Sequence, residues 1–131
     1  MTDALYILAC AIATEEGFFV EGSIPQVRNN PGDLDYADQA NATSRGQKIA
    51  TFVGDDKGSA IQYGTLALYR QLLAYAAKGM TIKGIIDVYA PLGENDTAAY
   101  LANVLKWTGL PGDVPLIQLL QALEPLNKET A

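Results

Sequence analysis

Between Val20 and Gly58 the chain loses the helical hydrophobic period that organises the sequence on either side of it. A stretch of that length without regular structure is improbable inside a compact domain, so part of it is expected to be sheet. Lys48-Ile49-Ala50-Thr51-Phe52-Val53 is β-branched and aromatic, lies between Gly46 and Gly54, and is predicted as a strand, with the segment from Asp33 to Tyr36 as the weaker candidate for its partner. Elsewhere the pattern is helical. Leu5, Leu8, Ala9 and Ile12 predict an amphipathic helix from about Thr2 to Glu16, ended by Gly17. Leu66, Tyr69, Leu72, Leu73 and Ala76 mark the longest helix, which starts after Gly58 and Ser59 and stops at Gly79. Ile82, Ile85, Ile86 and Tyr89 form a short helix capped by Thr81 and halted by Pro91. A fourth follows Asn95 or Asp96, buries Leu101, Val104 and Leu105, and ends at Gly109. A fifth opens at Asp113 and Pro115 and turns Leu116, Leu119, Leu120 and Leu123 inward before Pro125. The predicted class is α+β: a mainly helical domain with a small irregular antiparallel β lobe. At 131 residues, one domain over 1–125 is expected, with 126–131 as a frayed tail.

Composition narrows the chemistry. Hydrophobic residues are 49% and charged residues 18% of the chain, too apolar for disorder. There is no histidine, which excludes His-ligated zinc, Ser-His-Asp triads and Cys-His pairs. Cys10 is the only cysteine, so no internal disulfide forms, and among Ala9, Ala11 and Ile12 it reads as a small buried hydrophobe. No metal or organic cofactor is expected. Nine basic against fifteen acidic residues leave a net charge of −6, and no window is basic enough to hold a phosphate backbone, so nucleic acid is not an expected partner. No apolar run is long enough to span a membrane. The run from Ala4 to Ala13 follows Asp3 with no Lys or Arg before it, so it reads as a helix of the mature domain and not as an export signal. Asp55-Asp56-Lys57-Gly58 lacks the alternating ligands of a calcium loop and reads as a solvated turn.

With histidine absent, acid–base chemistry falls to carboxylates, Tyr or Lys. Extending the first stripe places Glu16 four residues after Ile12, near the centre of the apolar face, whereas Glu15 falls on its edge. A carboxyl pressed against apolar neighbours holds its proton more tightly and can act as a general acid. The plainer reading is a solvated Glu at a helix end, or one paired with Arg28 or Lys48. Arg28-Asn29-Asn30-Pro31-Gly32-Asp33-Leu34 is a dense turn signal, a tight loop rich in hydrogen bonds.

Glu16-Gly17-Phe18-Phe19, then Ser23-Ile24-Pro25, then Asn29-Asn30-Pro31-Gly32-Asp33-Leu34 resembles the lysozyme-like domains of bacterial and phage peptidoglycan-degrading enzymes, the lytic transglycosylases among them. Gly58-Ser59-Ala60, Tyr89-Ala90-Pro91 and Glu94-Asn95-Asp96-Thr97 with Tyr100 continue the likeness in order and spacing, so that it covers roughly residues 5 to 109. The resemblance implies a lysozyme-like fold and cleavage of the β-1,4 bond between N-acetylmuramic acid and N-acetylglucosamine. Glu16 matches the general acid/base, Asn30 and its turn match the wall beside the cleft, and Tyr89 matches a helix-end Tyr facing the catalytic Glu. In a lysozyme-type hydrolase a second carboxylate acts on the anomeric carbon or on water, and Asp33 or Asp35 are the candidates. In a lytic transglycosylase none is needed, because the 6-hydroxyl of the muramic acid attacks and leaves a 1,6-anhydro ring. The plainer reading of Asp33 is a side chain bonded to turn amides. Tyr36, Gln62 and Tyr63 are the candidate sugar-binding side chains.

Peptidoglycan strands are then the expected partner, met by a monomer in the periplasm, the cell wall or the extracellular space. A non-catalytic glycan-binding or structural module of the same fold, and a helical protein-interaction domain, are the alternatives.

Overall fold

In a computed structural model the structure describes residues 3–90 and 96–121. The features expected at Pro91, Asn95, Leu123, Pro125 and the 126–131 tail lie outside the described residues. The elements run α1 (Asp3–Glu15), α2 (Ile24–Val27), β1 (Ala42–Thr43), β2 (Thr51–Phe52), α3 (Lys57–Ala77), α4 (Ile82–Tyr89) and α5 (Thr97–Thr108). A further helical segment occupies 116–121. The protein is therefore α+β and mainly helical, with one small antiparallel sheet, as the sequence predicts. No described helix is long and apolar enough to cross a membrane. The chain divides into two compact units, one of Ile12–Gln71 and one of the described residues before and after it.

The unit Ile12–Gln71 holds the end of α1, α2, the sheet and most of α3. Its apolar core is Ile12, Ala13, Leu34, Ala50, Phe52, Ala60, Ala67 and Leu68. β1 pairs with β2 in the register Ala42 opposite Phe52 and Thr43 opposite Thr51. The partner of the predicted strand is thus Ala42–Thr43, not the segment from Asp33 to Tyr36. That segment still lies against the strand: Asp35 forms a bridge with Ile49, Tyr36 N–H donates to the Lys48 carbonyl (2.8 Å), and Ala50 N–H donates to the Leu34 carbonyl (2.9 Å). Two-residue pieces carry no period, which is why the pairing was not readable. Nor does the period show α2, a single turn. Ser23 caps it by accepting from Gln26 N–H, and Pro25 sits in its first turn, where a missing N–H costs nothing.

α3 is the longest helix, as expected, but it starts a turn earlier. Asp56 Oδ1 accepts from Ser59 N–H at 2.7 Å, and these bonds to the first turn hold the Asp56 carboxyl below its ordinary range. Its buried face also differs from the predicted stripe. Leu66 and Leu73 are exposed and Tyr69 is half-buried, whereas Ala60, Gly64, Ala67, Leu68, Leu72 and Ala76 face inward. The cause is Gly64: a Cβ there would lie 2.0 Å from the Asn29 carbonyl oxygen. The helix presents its smallest residues so that the 28–34 turn can approach its backbone.

In the other unit α4 follows its predicted stripe, with Ile82, Ile85 and Ile86 fully buried and Thr81 capping Gly84 N–H at 3.0 Å. Each such isoleucine contributes roughly 1.5–3 kcal/mol by leaving water. Lys83 N–H donates to the Gly112 carbonyl and Leu116 N–H to the Met80 carbonyl, tying the 112–116 segment to the start of α4. Asp96 caps α5, which buries Thr97, Tyr100 and Val104 and leaves Leu101 and Leu105 half-buried, before Gly109 ends it in the left-handed region. Cys10 is half-buried, not buried as expected.

Candidate active site

Glu16 sits at the end of α1 in a backbone arrangement that fixes its Cα. Gly17 N–H donates to the Thr14 carbonyl (3.1 Å), Phe18 N–H to the Ala13 carbonyl (3.0 Å), and Gly17 has φ of +86°. These crossed bonds are a Schellman closure, which needs a left-handed residue just past the cap, and glycine takes that conformation without strain. Glu16 is the capping residue and its own N–H still bonds to the Ile12 carbonyl at 2.9 Å. Its side chain is half-buried.

The 28–34 turn is built around Asn30, which is completely buried. Its Nδ2 donates to the carbonyls of Leu34 (3.0 Å) and Ala50 (2.8 Å), and its Oδ1 accepts from Leu34 N–H (2.9 Å). Both neighbours in the turn that carry left-handed backbone, Asn29 (φ +55°) and Asp33 (φ +50°), are of the residue types that tolerate it. Asn29 is pinned from two sides, donating to the Phe52 carbonyl at 3.1 Å and accepting from Lys57 Nζ at 2.8 Å. Arg28 Nη1 donates to the Ile49 carbonyl at 3.0 Å.

Asp33 is the carboxyl held in this frame. Asp33 Oδ1 is closed off from solvent and receives no N–H or hydroxyl donor from the described residues. The Glu16 carboxyl is among the groups that act on Asp33, in the sense that favours charge there. Burial pushes the Asp33 carboxyl above its ordinary range. The Arg28 guanidinium pulls it down, Asp35 pushes it up, and Glu16 pulls it down, but burial prevails.

No protein-family model, curated protein or solved structure matches this chain. The functional reading therefore rests on the side chains themselves. Glu16 and Asp33 lie in the same unit. Asn30 is not a substrate contact: with no exposed surface and its amide spent inside, it shapes the turn from behind. Asp35 lies on the surface, 3.9 Å from Lys48, so Lys48 pairs there. Tyr36 is exposed and gives its hydroxyl to Asp38 at 3.1 Å, a bond to a carboxylate that pushes the phenol up. Gln62 and Tyr63 are exposed on the first turns of α3, and neither is hydrogen-bonded to Glu16 or Asp33. Tyr89 is the last residue of α4, half-buried, in the other unit. Among the described residues no group of three or more His, Cys, Asp or Glu could hold a metal.

Sequence reasoning missed two contributors. The charge of Arg28 acts on Asp33, and Gly64 gives the turn its seat on α3. An interior helix glycine is the signal that was available for the second, because it costs helix stability unless something approaches closely.

Proposed function

We propose that the chain cleaves the β-1,4 bond between N-acetylmuramic acid and N-acetylglucosamine in peptidoglycan, with Glu16 as general acid and then base. The observation that supports this best is the half-buried Glu16 carboxyl at the closed end of α1, in the same unit as the turn that carries the Asp33 carboxyl. A carboxyl that keeps a proton near neutral pH is the group that glycosidic cleavage requires. Glu16 gives its proton to the glycosidic oxygen, the C1–O bond breaks with its electron pair going to that oxygen, and positive charge spreads over C1 and the ring oxygen. The 6-hydroxyl of the muramic acid then attacks C1 and its proton passes to the Glu16 carboxylate. The product carries a 1,6-anhydro ring and the acid is restored.

The resemblance to lytic transglycosylases favours this intramolecular route, while Asp33 keeps hydrolysis open. Exposed Tyr36 and Tyr63 offer rings on which pyranose faces can stack. The site of action is wherever this polymer lies: periplasm, cell wall or extracellular space.

The test is mass spectrometry of muropeptides released from purified sacculi. Wild type is expected to give anhydro products, one water lighter than hydrolysed ones. Glu16→Gln should release them roughly 10²–10⁴-fold more slowly, the usual share of a general acid, while Glu15→Gln has a mild effect. Reducing-end products would replace the intramolecular route by hydrolysis. Glycan binding without release would make the chain a binding module, and no binding at all would leave a protein-interaction domain.

A further inference from the structure

We propose that the outward face of α3 docks an acidic amphipathic helix of a partner protein, with a carboxylate of that helix seated on Arg70. The proposal stands apart from the catalytic reading of Glu16.

α3 is one unbroken helix that turns Gly64, Ala67, Leu68, Leu72 and Ala76 inward. At about 100° per residue its opposite face runs through Tyr63, Leu66, Arg70, Leu73 and Ala77. A helix face turned to water ordinarily carries charged and polar side chains. Here Tyr63 and Leu66 are each 38% exposed and Leu73 is 46% exposed, with exposed Ala77 a turn beyond. The steps between these residues alternate between three and four, which is the a and d spacing of a seam that receives the knobs of a second helix. A stripe that faces a globular core is about 100° wide or more, and this one is narrower. The occupant it fits is therefore a helix lying along α3, crossing at about 20°.

Charge selects which helix. Between Asp56 and Asp87 the chain carries Lys57, Arg70, Lys78 and Lys83 and no acidic residue, although its net charge is −6. Arg70 is the middle residue of the seam, is exposed, and makes no ion pair or hydrogen bond with the described residues. A charged side chain at one seam position sets register and rejects partners that leave it unpaired. A second copy of this chain is rejected on that ground, because parallel and antiparallel pairing centred on the seam both lay Arg70 against its own copy. An anionic bilayer attracts basic groups but repels a chain of this net charge, and a surface helix keeps its cations beside the apolar face rather than in the middle of it. A partner helix with apolar side chains along its own seam and a Glu or Asp at the centre satisfies both features, since a guanidinium can hold a carboxylate by two parallel bonds.

The experiment uses two synthetic peptides of about two heptads, locked as helices by a side-chain link on the face away from the seam. Both carry Leu along the seam, and the middle seam position is Glu in one and Lys in the other. Fluorescence anisotropy follows each against wild type, Arg70→Glu and the double variant Leu66→Ser with Leu73→Ser. Wild type should bind the Glu peptide at least about tenfold more tightly than the Lys peptide, and Arg70→Glu should reverse that order. The serine variant should bind neither. Equal affinity for the two peptides overturns the proposal, and so does failure of wild type to bind either. The replaced side chains are exposed, so the fold should survive, which circular dichroism checks; if the serine variant does not fold, the reversal by Arg70→Glu decides. Sedimentation and vesicle flotation judge the rival occupants. A wild-type dimer dispersed by the serine variant would give the seam to a second copy, and flotation with phosphatidylglycerol vesicles that Arg70→Glu abolishes would give it to a membrane; either result overturns the proposal.

Discussion

The 28–34 turn and α4 are similar in size and are held by different forces. α4 has three isoleucines with no exposed surface and a single side-chain cap at its start. Its position follows from area removed from water, a term without direction, which any apolar side chain of similar volume supplies. The turn buries Asn30, Pro31, Gly32 and Leu34, and its shape follows from five side-chain bonds of Arg28, Asn29 and Asn30 to backbone carbonyls and one backbone amide. Each of these bonds has a fixed direction and a specific partner. A site that must hold a carboxyl in a set orientation is better built on the second kind of structure, because direction as well as proximity is specified there.

That difference predicts a contrast in tolerance. Asn30→Ala would leave Leu34 N–H and the Ala50 carbonyl without the partners they now have, each at about 1–3 kcal/mol, for a loss of roughly 4 kcal/mol in urea unfolding. Asn30→Asp should do nearly as much harm despite its matching shape, since it removes both donors and buries a charge facing two carbonyls. Ile85→Ala comes next at about 3 kcal/mol for a lost side chain and a cavity. Ile85→Val, which keeps most of the volume, should cost only about 1 kcal/mol. If Asn30→Asp proves milder than Ile85→Val, the turn is held by burial like the helix and the contrast is wrong.

The same contrast explains what could be read in the sequence. α4 and α1 were legible because apolar spacing encodes a helical face, and Gly17 encodes where α1 stops. The face of α3 was misjudged because the stripe was weighted by size, choosing Leu66 and Leu73, whereas the packed face is chosen by the smallness of Gly64 and Ala67. In the turn, composition announced a dense hydrogen-bonded loop but not which polar side chain enters it. Asn30 was expected at the wall beside the cleft, and Asp33 either as a second carboxylate or bonded to turn amides. The structure gives the interior to Asn30, because an amide both donates and accepts and can satisfy two carbonyls and an N–H at once, which a carboxylate cannot. The influence of Glu16 on Asp33 links residues from different elements, which no local pattern records.

The smallest predicted effect sharpens the contrast further, because it belongs to the one turn side chain that the hydrogen-bond frame does not satisfy. Burial raises the Asp33 carboxyl above its ordinary value of 3.8 in the folded protein. A carboxyl with a raised folded value binds its proton more tightly folded than unfolded, so its contribution to stability is fully present below 3.8 and is lost as pH climbs through the raised value. Asp33→Asn removes that pH-dependent term. The thermal midpoint of the variant relative to wild type should therefore rise between about pH 4 and pH 7, in the direction opposite to that for an acid held by favourable bonds, such as Asp56. The difference in midpoint, followed across that interval at constant ionic strength, checks it. A flat difference would mean that Arg28 and Glu16 fully compensate the burial of Asp33, and a falling one would mean that its charge is a net support of the turn; either would place Asp33 with Asn30 as part of the frame.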